Sequence, residues 1–324
     1  MRTTTKVWLV IATSLVLIGG ILFAGVMSTL GWDFIELSTV KYKTNTYEIN
    51  KAFDSVSINT DTADIVFAFS DNGVCKVECH EEENAKHSVT VEDGTLTVAL
   101  IDERSVYDFI GYIGLNFGSP KITVYLPKAE YSSLLVKEDT GDIEIPKAFI
   151  FKDVDISLST GDVDFCASAS EVVKIKTTTG DIRVGNISAG ALDLSVSTGK
   201  VTASGVSCEG DITVGVSTGK VNLADIACKS VISSGNTGDI YLNNAIATEK
   251  FSIERSTGDV KFYSCDAAEI YVKTDTGDVN GTLLSDKVFI AETGTGSIHV
   301  PNSITGGKCE IATNTGDINI GVNA

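Results

Sequence analysis

A glycine returns every 19 or 20 residues through the second half of this chain, and that spacing restricts the fold more than any other feature. The series runs Gly141, Gly161, Gly180, Gly199, Gly219, Gly238, Gly258, Gly277, Gly296 and Gly316, mostly within the phrase Thr-Gly-Asp followed by Val or Ile. A fixed period of this size marks a solenoid, each repeat being one coil stacked on the next. Two residues after every glycine stands Val or Ile, from Ile143 to Ile318. Five before it stand Val136, Ile156, Ile175, Leu194, Val214, Ile253, Val272 and Ile311, with Ser233 and Ala291 as exceptions. Apolar positions two apart, built from β-branched residues, are strand periodicity with one buried face. One coil cannot bury that face alone, but stacked coils share a continuous interior. The glycine belongs to a corner that needs positive φ, a conformation open to a residue without Cβ. Short polar side chains two before it, such as Asp139, Ser159, Thr178 and Ser197, suit an Asx- or ST-turn. Gly294 breaks that rule in a rung with Ser297 in place of aspartate, so this rung is expected to be irregular.

The expected fold is all-β: a single-stack β-solenoid, or β-helix, of about ten 19–20-residue rungs over 134–324, with an irregular β cap over 53–133. A spacer over 31–52 links this to a transmembrane anchor at 7–30, behind a short cytoplasmic stretch at 1–6. Val7 to Leu30 contains no charged residue, which is long enough to span a bilayer. Arg2 and Lys6 precede it and Asp33 and Glu36 follow, so the positive-inside rule puts the N-terminus in the cytoplasm and the remainder outside. A cleaved signal peptide competes; the long apolar run without a clean A-x-A site favours the retained anchor.

Within the cap, Asp93-Gly94 between two alternating runs signals a two-residue hairpin turn. Asp61-Thr-Ala-Asp-Ile65 resembles a worn repeat, with Ala63 lying 78 residues before Gly141, about four periods. Tyr107, Phe109, Ile110, Tyr112, Ile113 and Phe117 form an apolar interruption. It is either a loop packed over the end of the rod or a patch for the membrane or another envelope protein. At the far end Ile318-Asn-Ile320 predicts a bare last rung, whose unpaired backbone groups invite end-to-end self-association.

The chemistry legible in the residues is sparse. With 43 acidic against 25 basic residues, a net charge of −18, the surface repels phosphate backbones and excludes nucleic acid. Asp142, Asp162, Asp181, Asp239, Asp259, Asp278 and Asp317 should stack as a ladder, which raises calcium as a candidate. The period and glycine content differ from calcium-binding rolls, and Lys200 and Lys220 interrupt the ladder, so solvated turn carboxylates without metal are expected. Gly215-Val-Ser-Thr-Gly219 matches a nucleophile pattern but lies in a repeat whose every rung has an equivalent Ser or Thr. His80, His87 and His299 fall in no metal or triad spacing. Neither a cofactor nor an enzyme activity is expected. Of the seven cysteines, Cys208 and Cys228 share one position on adjacent rungs, and most are expected to be buried thiols.

The repeated Ser/Thr-Thr-Gly-Asp-Val/Ile, the lead-in Ile122-Thr-Val-Tyr-Leu-Pro-Lys-Ala-Glu-Tyr131 and the N-terminal anchor resemble the bacterial putative-adhesin family, from about Phe53 onward. The resemblance implies a β-solenoid domain of unknown function at the envelope of mostly Gram-positive bacteria, with some relatives tied to envelope-stress sensing. The expected role is a non-catalytic surface binding module. The alternative is a regulatory partner of another membrane protein in envelope-stress signalling. A carbohydrate-active β-helix enzyme stands third, because no cleft of clustered acids and bases can be read.

Overall fold

The structure, a computed structural model, describes residues 3–32, 41–102, 119–147 and 149–323. Thr3–Thr29 forms one helix. Its stretch Thr5–Thr29 is long and apolar enough to cross a membrane, and none of its apolar window is buried against the rest of the protein. A helix apolar on every side has no polar face to give to water. Nearly everything after it is strand.

The coil opening at Gly180 shows how the sequence builds a rung. Ile182 and Val184 point inward on the first segment, and Asn186 turns the chain with φ 54°. Ile187 and Ala189 fill the second segment; Leu192, Leu194 and Val196 fill the third, which ends at Gly199. The turn at Asn186 recurs six residues after successive glycines, at Gly205, Asp225, Asn244 and Ser264, all with positive φ. Short side chains that bond locally tolerate this left-handed conformation, and Asn244 Nδ2 donates to Asp225 Oδ1 at 2.7 Å. Further ladder irregularities, between Cys228 and Ser230 and between Ala247 and Lys250, lie where rungs of 19 and 20 residues differ. Along the first segment the strands stack parallel and in register, Ile182 on Val201 on Val221 on Ile240 on Val260 on Val279. Like side chains therefore form continuous buried columns, and the core runs the length of the stack.

Chain order and spatial order part company at both ends. Gly307–Thr315 pairs with Ile270–Thr276 on one side and with Lys287–Thr295 on the other. Ile318–Val322 likewise lies between Val279–Leu283 and Ile298–His299. The final repeat is thus inserted between the two before it. The expected bare edge at Ile318-Asn-Ile320 is corrected: the outermost rung is 287–299. Cys309, Ile311, Ile318 and Ile320 of the inserted rung are buried, while Phe289, Ala291 and Val300 of the outermost rung are partly buried and pack against the core from its end.

At the other end Ser55–Thr62 lies between Thr95–Asp102 and Glu130–Thr140, and Asp64–Phe69 between Lys121–Leu126 and Ile143–Ile145. Ala63 therefore sits one rung from Gly141, not four, because the intervening residues make an outer rung and a cap. That cap is antiparallel. Tyr42–Ile49 pairs with Cys75–Glu82, so part of the stretch read as spacer is a structural strand. Ala85–Glu92 returns as Thr95–Asp102 through Asp93-Gly94, both with positive φ. The apolar loop of Tyr107, Phe109, Ile110, Tyr112, Ile113 and Phe117 lies outside the described residues.

Candidate functional site

The ten corner glycines form a single column, all with φ between 126° and 152°. All but Gly296, which is on the outermost rung, donate their N–H to the threonine carbonyl of the neighbouring rung, as Gly161 does to Thr179 at 2.9 Å and Gly180 to Thr198 at 3.1 Å. A Cβ at Gly199 would lie 1.9 Å from the Gly180 oxygen, so backbone packs directly on backbone here. The ladder aspartates complete the column. Asp142 Oδ1 accepts the Asp162 N–H at 2.8 Å, Asp162 that of Asp181 at 2.8 Å, and Asp181 that of Lys200 at 2.8 Å. The pattern resumes from Asp239 to Asp259, to Asp278 and to Asp317, which accepts from Ser297 at 2.7 Å.

Hydrogen bonds between rungs thus close the corner. The local Asx- and ST-turns expected there do not form among the described residues; Ser159 instead donates to Asp139, and Asn314 to Asp275. Several second oxygens meet cations: Arg183 Nη2 reaches Asp162 at 2.9 Å and Asp181 at 3.3 Å, Lys220 reaches Asp239 and Lys261 reaches Asp259. Desolvation would raise the Asp162 carboxyl, but the Asp181 N–H and the Arg183 guanidinium together hold it below the usual range. The column is a device for satisfying backbone donors at a crowded corner.

A second constellation lies where the cap meets the first rung, and the sequence reading missed it. His87, read as belonging to no grouping, has Nδ1 2.7 Å from Glu81 Oε2 and Nε2 2.8 Å from Thr60 Oγ1. Its own N–H donates to Glu81 Oε2 at 2.6 Å, Asn45 Nδ2 donates to Glu81 Oε1 at 2.6 Å, and the Tyr47 hydroxyl donates to the His87 carbonyl at 3.1 Å. Thr60, Glu81 and His87 are all buried. The signal was present in outline. Cys75, Val77, Cys79 and Glu81 share the inward phase of one strand, and a carboxylate in that phase requires a partner.

Cys79, Glu81 and His87 have ligand atoms within 4.8 Å of one another, residue types that can hold a divalent cation. Their donors are already spent: both imidazole nitrogens and both Glu81 oxygens bond within the protein. Burial, reinforced by Glu81, pushes the Cys79 thiol up to about 12, so the sulfur is protonated at neutral pH. The order carboxylate, imidazole, hydroxyl also has the form of a nucleophile relay. A cavity of about 390 Å³ beside it is lined by His87, Tyr42, Asp61, Ser119 and Pro120 among others, but not by Thr60. Among the described residues Thr60 is buried and outside that cavity's lining, and the network joins cap to stack.

With stack and cap placed, comparison with known families is decisive. A family model described as Toastrack DUF4097 matches residues 53–215 and 209–324, covering the whole stack and the cap from residue 53 onward. The chain belongs to this family. Solved structures similar to this Toastrack chain include a putative adhesin from Bacteroides fragilis, at 17% identity and TM-score 0.43, covering 86% of this chain and 97% of that one. A putative lipid binding protein from Parabacteroides distasonis, at 13% identity and TM-score 0.37, covers 88% and 98%. A putative cell adhesion protein from Clostridium sporogenes, at 13% identity and TM-score 0.22, covers 88% and 100%. Comparison with curated proteins gave no match.

Proposed function

We propose that this protein is a non-catalytic binding module displayed at the cell envelope. In this reading the N-terminal helix stays in the membrane, the N-terminus lies in the cytoplasm, and the Toastrack stack stands outside. The observation that carries it is the helix stretch Thr5–Thr29, whose apolar window is not buried against the rest of the protein. Arg2 and Lys6 at its N-terminal end and Asp33 and Glu36 beyond its C-terminal end give the orientation. The stack supports a binding role because its inward side chains are consumed by packing. Its outer faces present repeated polar side chains about 4.8 Å apart, a surface suited to extended partners.

The test is protease accessibility of the full chain carrying a C-terminal tag in intact cells, combined with fractionation. The tag should be cut from outside while the protein sediments with membranes. A protected tag, or a protein free of the membrane fraction, overturns the topology. Full-length protein in detergent should also cosediment saturably with washed envelope fragments; absence of saturable binding overturns the binding reading.

A further inference from the structure

The inward position three residues before each corner glycine is occupied by small or apolar residues in mid-stack, Thr177, Val196 and Val216, until Gly235 and Arg255. Arg255 is 4% exposed. Its guanidinium fills the volume that a side chain at Gly235 would take, since a Cβ there would lie 1.8 Å from Nη1. Nη1 donates to the Val216 carbonyl, two rungs away, at 2.6 Å. Nε and Nη2 are buried and have no hydrogen-bond partner, and neither has Ser233 Oγ, two residues before Gly235 on the same inward face. Ser233 is one of the two breaks in the aliphatic column noted in the sequence.

Arginine does not shed its proton in proteins, so a buried guanidinium needs a counter-charge. Burial drives the Arg255 pKa down against the pull of Asp239. That carboxylate is already held by Lys220, by the Tyr241 hydroxyl and by the Asp259 N–H. The two orphaned donors are the informative ones. Nε–H and Nη2–H point the same way along one edge of the guanidinium, the edge that grips a carboxylate or phosphate with two parallel bonds. Arg255, Gly235 and Val216 also line a cavity of about 520 Å³, with Ser195, Ser197, Gly215, Ser217, Ser234, Asn236 and Ser256 around it and Glu254, Lys273 and Asp275 on its rim. Serine hydroxyls and glycines leave this part of the stack open and rich in donors. The rim sets one cation, Lys273, against two acids, Glu254 and Asp275, and the whole chain is acidic, so long-range attraction does not draw an anion here.

We infer that Arg255 is the floor of an oxyanion-binding site, in which a phosphate or carboxylate group bonds to Nε and Nη2 beneath the serine-lined opening at Gly235. The site does not depend on the envelope reading above and fails or stands separately from it. The test uses full-length protein in detergent, melted in inorganic phosphate, acetate or poly-L-glutamate against chloride at equal ionic strength. A dose-dependent rise in Tm of about 5 °C at saturation is expected in at least one of the three oxyanions. A response to the small ions identifies a free ligand, and a response to the polymer alone identifies a pendant group; either supports the site. Arg255→Met should melt at or above the wild-type temperature in chloride and lose the response. Arg255→Lys, which keeps the charge without the fork, should weaken the response at least tenfold in concentration, and it serves as the readout if the methionine variant does not fold. No response to any oxyanion, or an equal response in the Arg255 variants, overturns the inference.

Discussion

Glu138 and Arg255 occupy the same inward position on two rungs, three residues before Gly141 and Gly258, yet the protein treats them differently. Glu138 lies at the cap end, gives Oε1 to the Ala63 N–H at 3.0 Å and leaves Oε2 buried without a partner. Burial raises its pKa to about 8, so the acid resolves its predicament by holding a proton. Arg255, in mid-stack, has no such exit. Thr274 and Thr313 show the position's ordinary use, each hydroxyl donating to a corner glycine carbonyl of the neighbouring rung. The contrast teaches that one coil position accepts a neutral donor freely and an acid once protonated, but leaves a base with two buried donors unpaired.

That contrast presumes a rigid corner column, and the largest effect should come from breaking it. Gly199→Val places side-chain atoms against the Gly180 carbonyl and demands positive φ of a β-branched residue. A loss of about 4 kcal/mol or more is expected in denaturant unfolding. Next comes the cap. Glu81→Leu should cost about 3–5 kcal/mol because it strands His87 and Asn45. The double variant Glu81→Leu with His87→Leu should cost less than the sum of the singles, and an additive cycle would deny the coupling.

Glu138 gives a sharper test with a definite sign. The folded group holds its proton up to about 8 and the unfolded chain releases it near 4.5, so the folded state binds more protons in between. Stability should therefore fall as pH rises from about 4.5 to 8, by on the order of 2–3 kcal/mol. Glu138→Gln should remove this share of the pH dependence; an unchanged profile would place the titration elsewhere. The smallest effect belongs to the ladder. Asp162→Asn keeps an oxygen for the Asp181 N–H and loses only the half-exposed pairing with Arg183. A cost of about 0.5 kcal/mol is expected, fading in high salt.

The repeating part was open to reading because one corner requirement, repeated at a constant interval, leaves a mark at every rung. The ends were not. Gly277 to Gly296 and Gly296 to Gly316 are spaced like any other neighbours, so the period is blind to which coil packs on which. The insertion shows in the pairing itself, as in the bond from Asp317 N–H to Asp278, 39 residues apart in place of the usual 19 or 20. The cap network was hidden for a related reason: Thr60, Glu81 and His87 come from three strands, and nothing in their spacing along the chain brings them together. Ser233 was visible as an exception in a column of aliphatics, but its link to Arg255 required knowing that Gly235 vacates the intervening space.

The inserted final repeat constrains how the stack can be assembled. Coils that wound up strictly in order of synthesis would lay residues 287–299 straight onto the rung of Gly277, the berth that residues 307–322 finally occupy. Either that berth stays vacant until the later segment arrives, or an early docking must come undone. In the finished stack the strands of residues 287–299 pair, among the described residues, only with residues 307–322, which follow them in the chain.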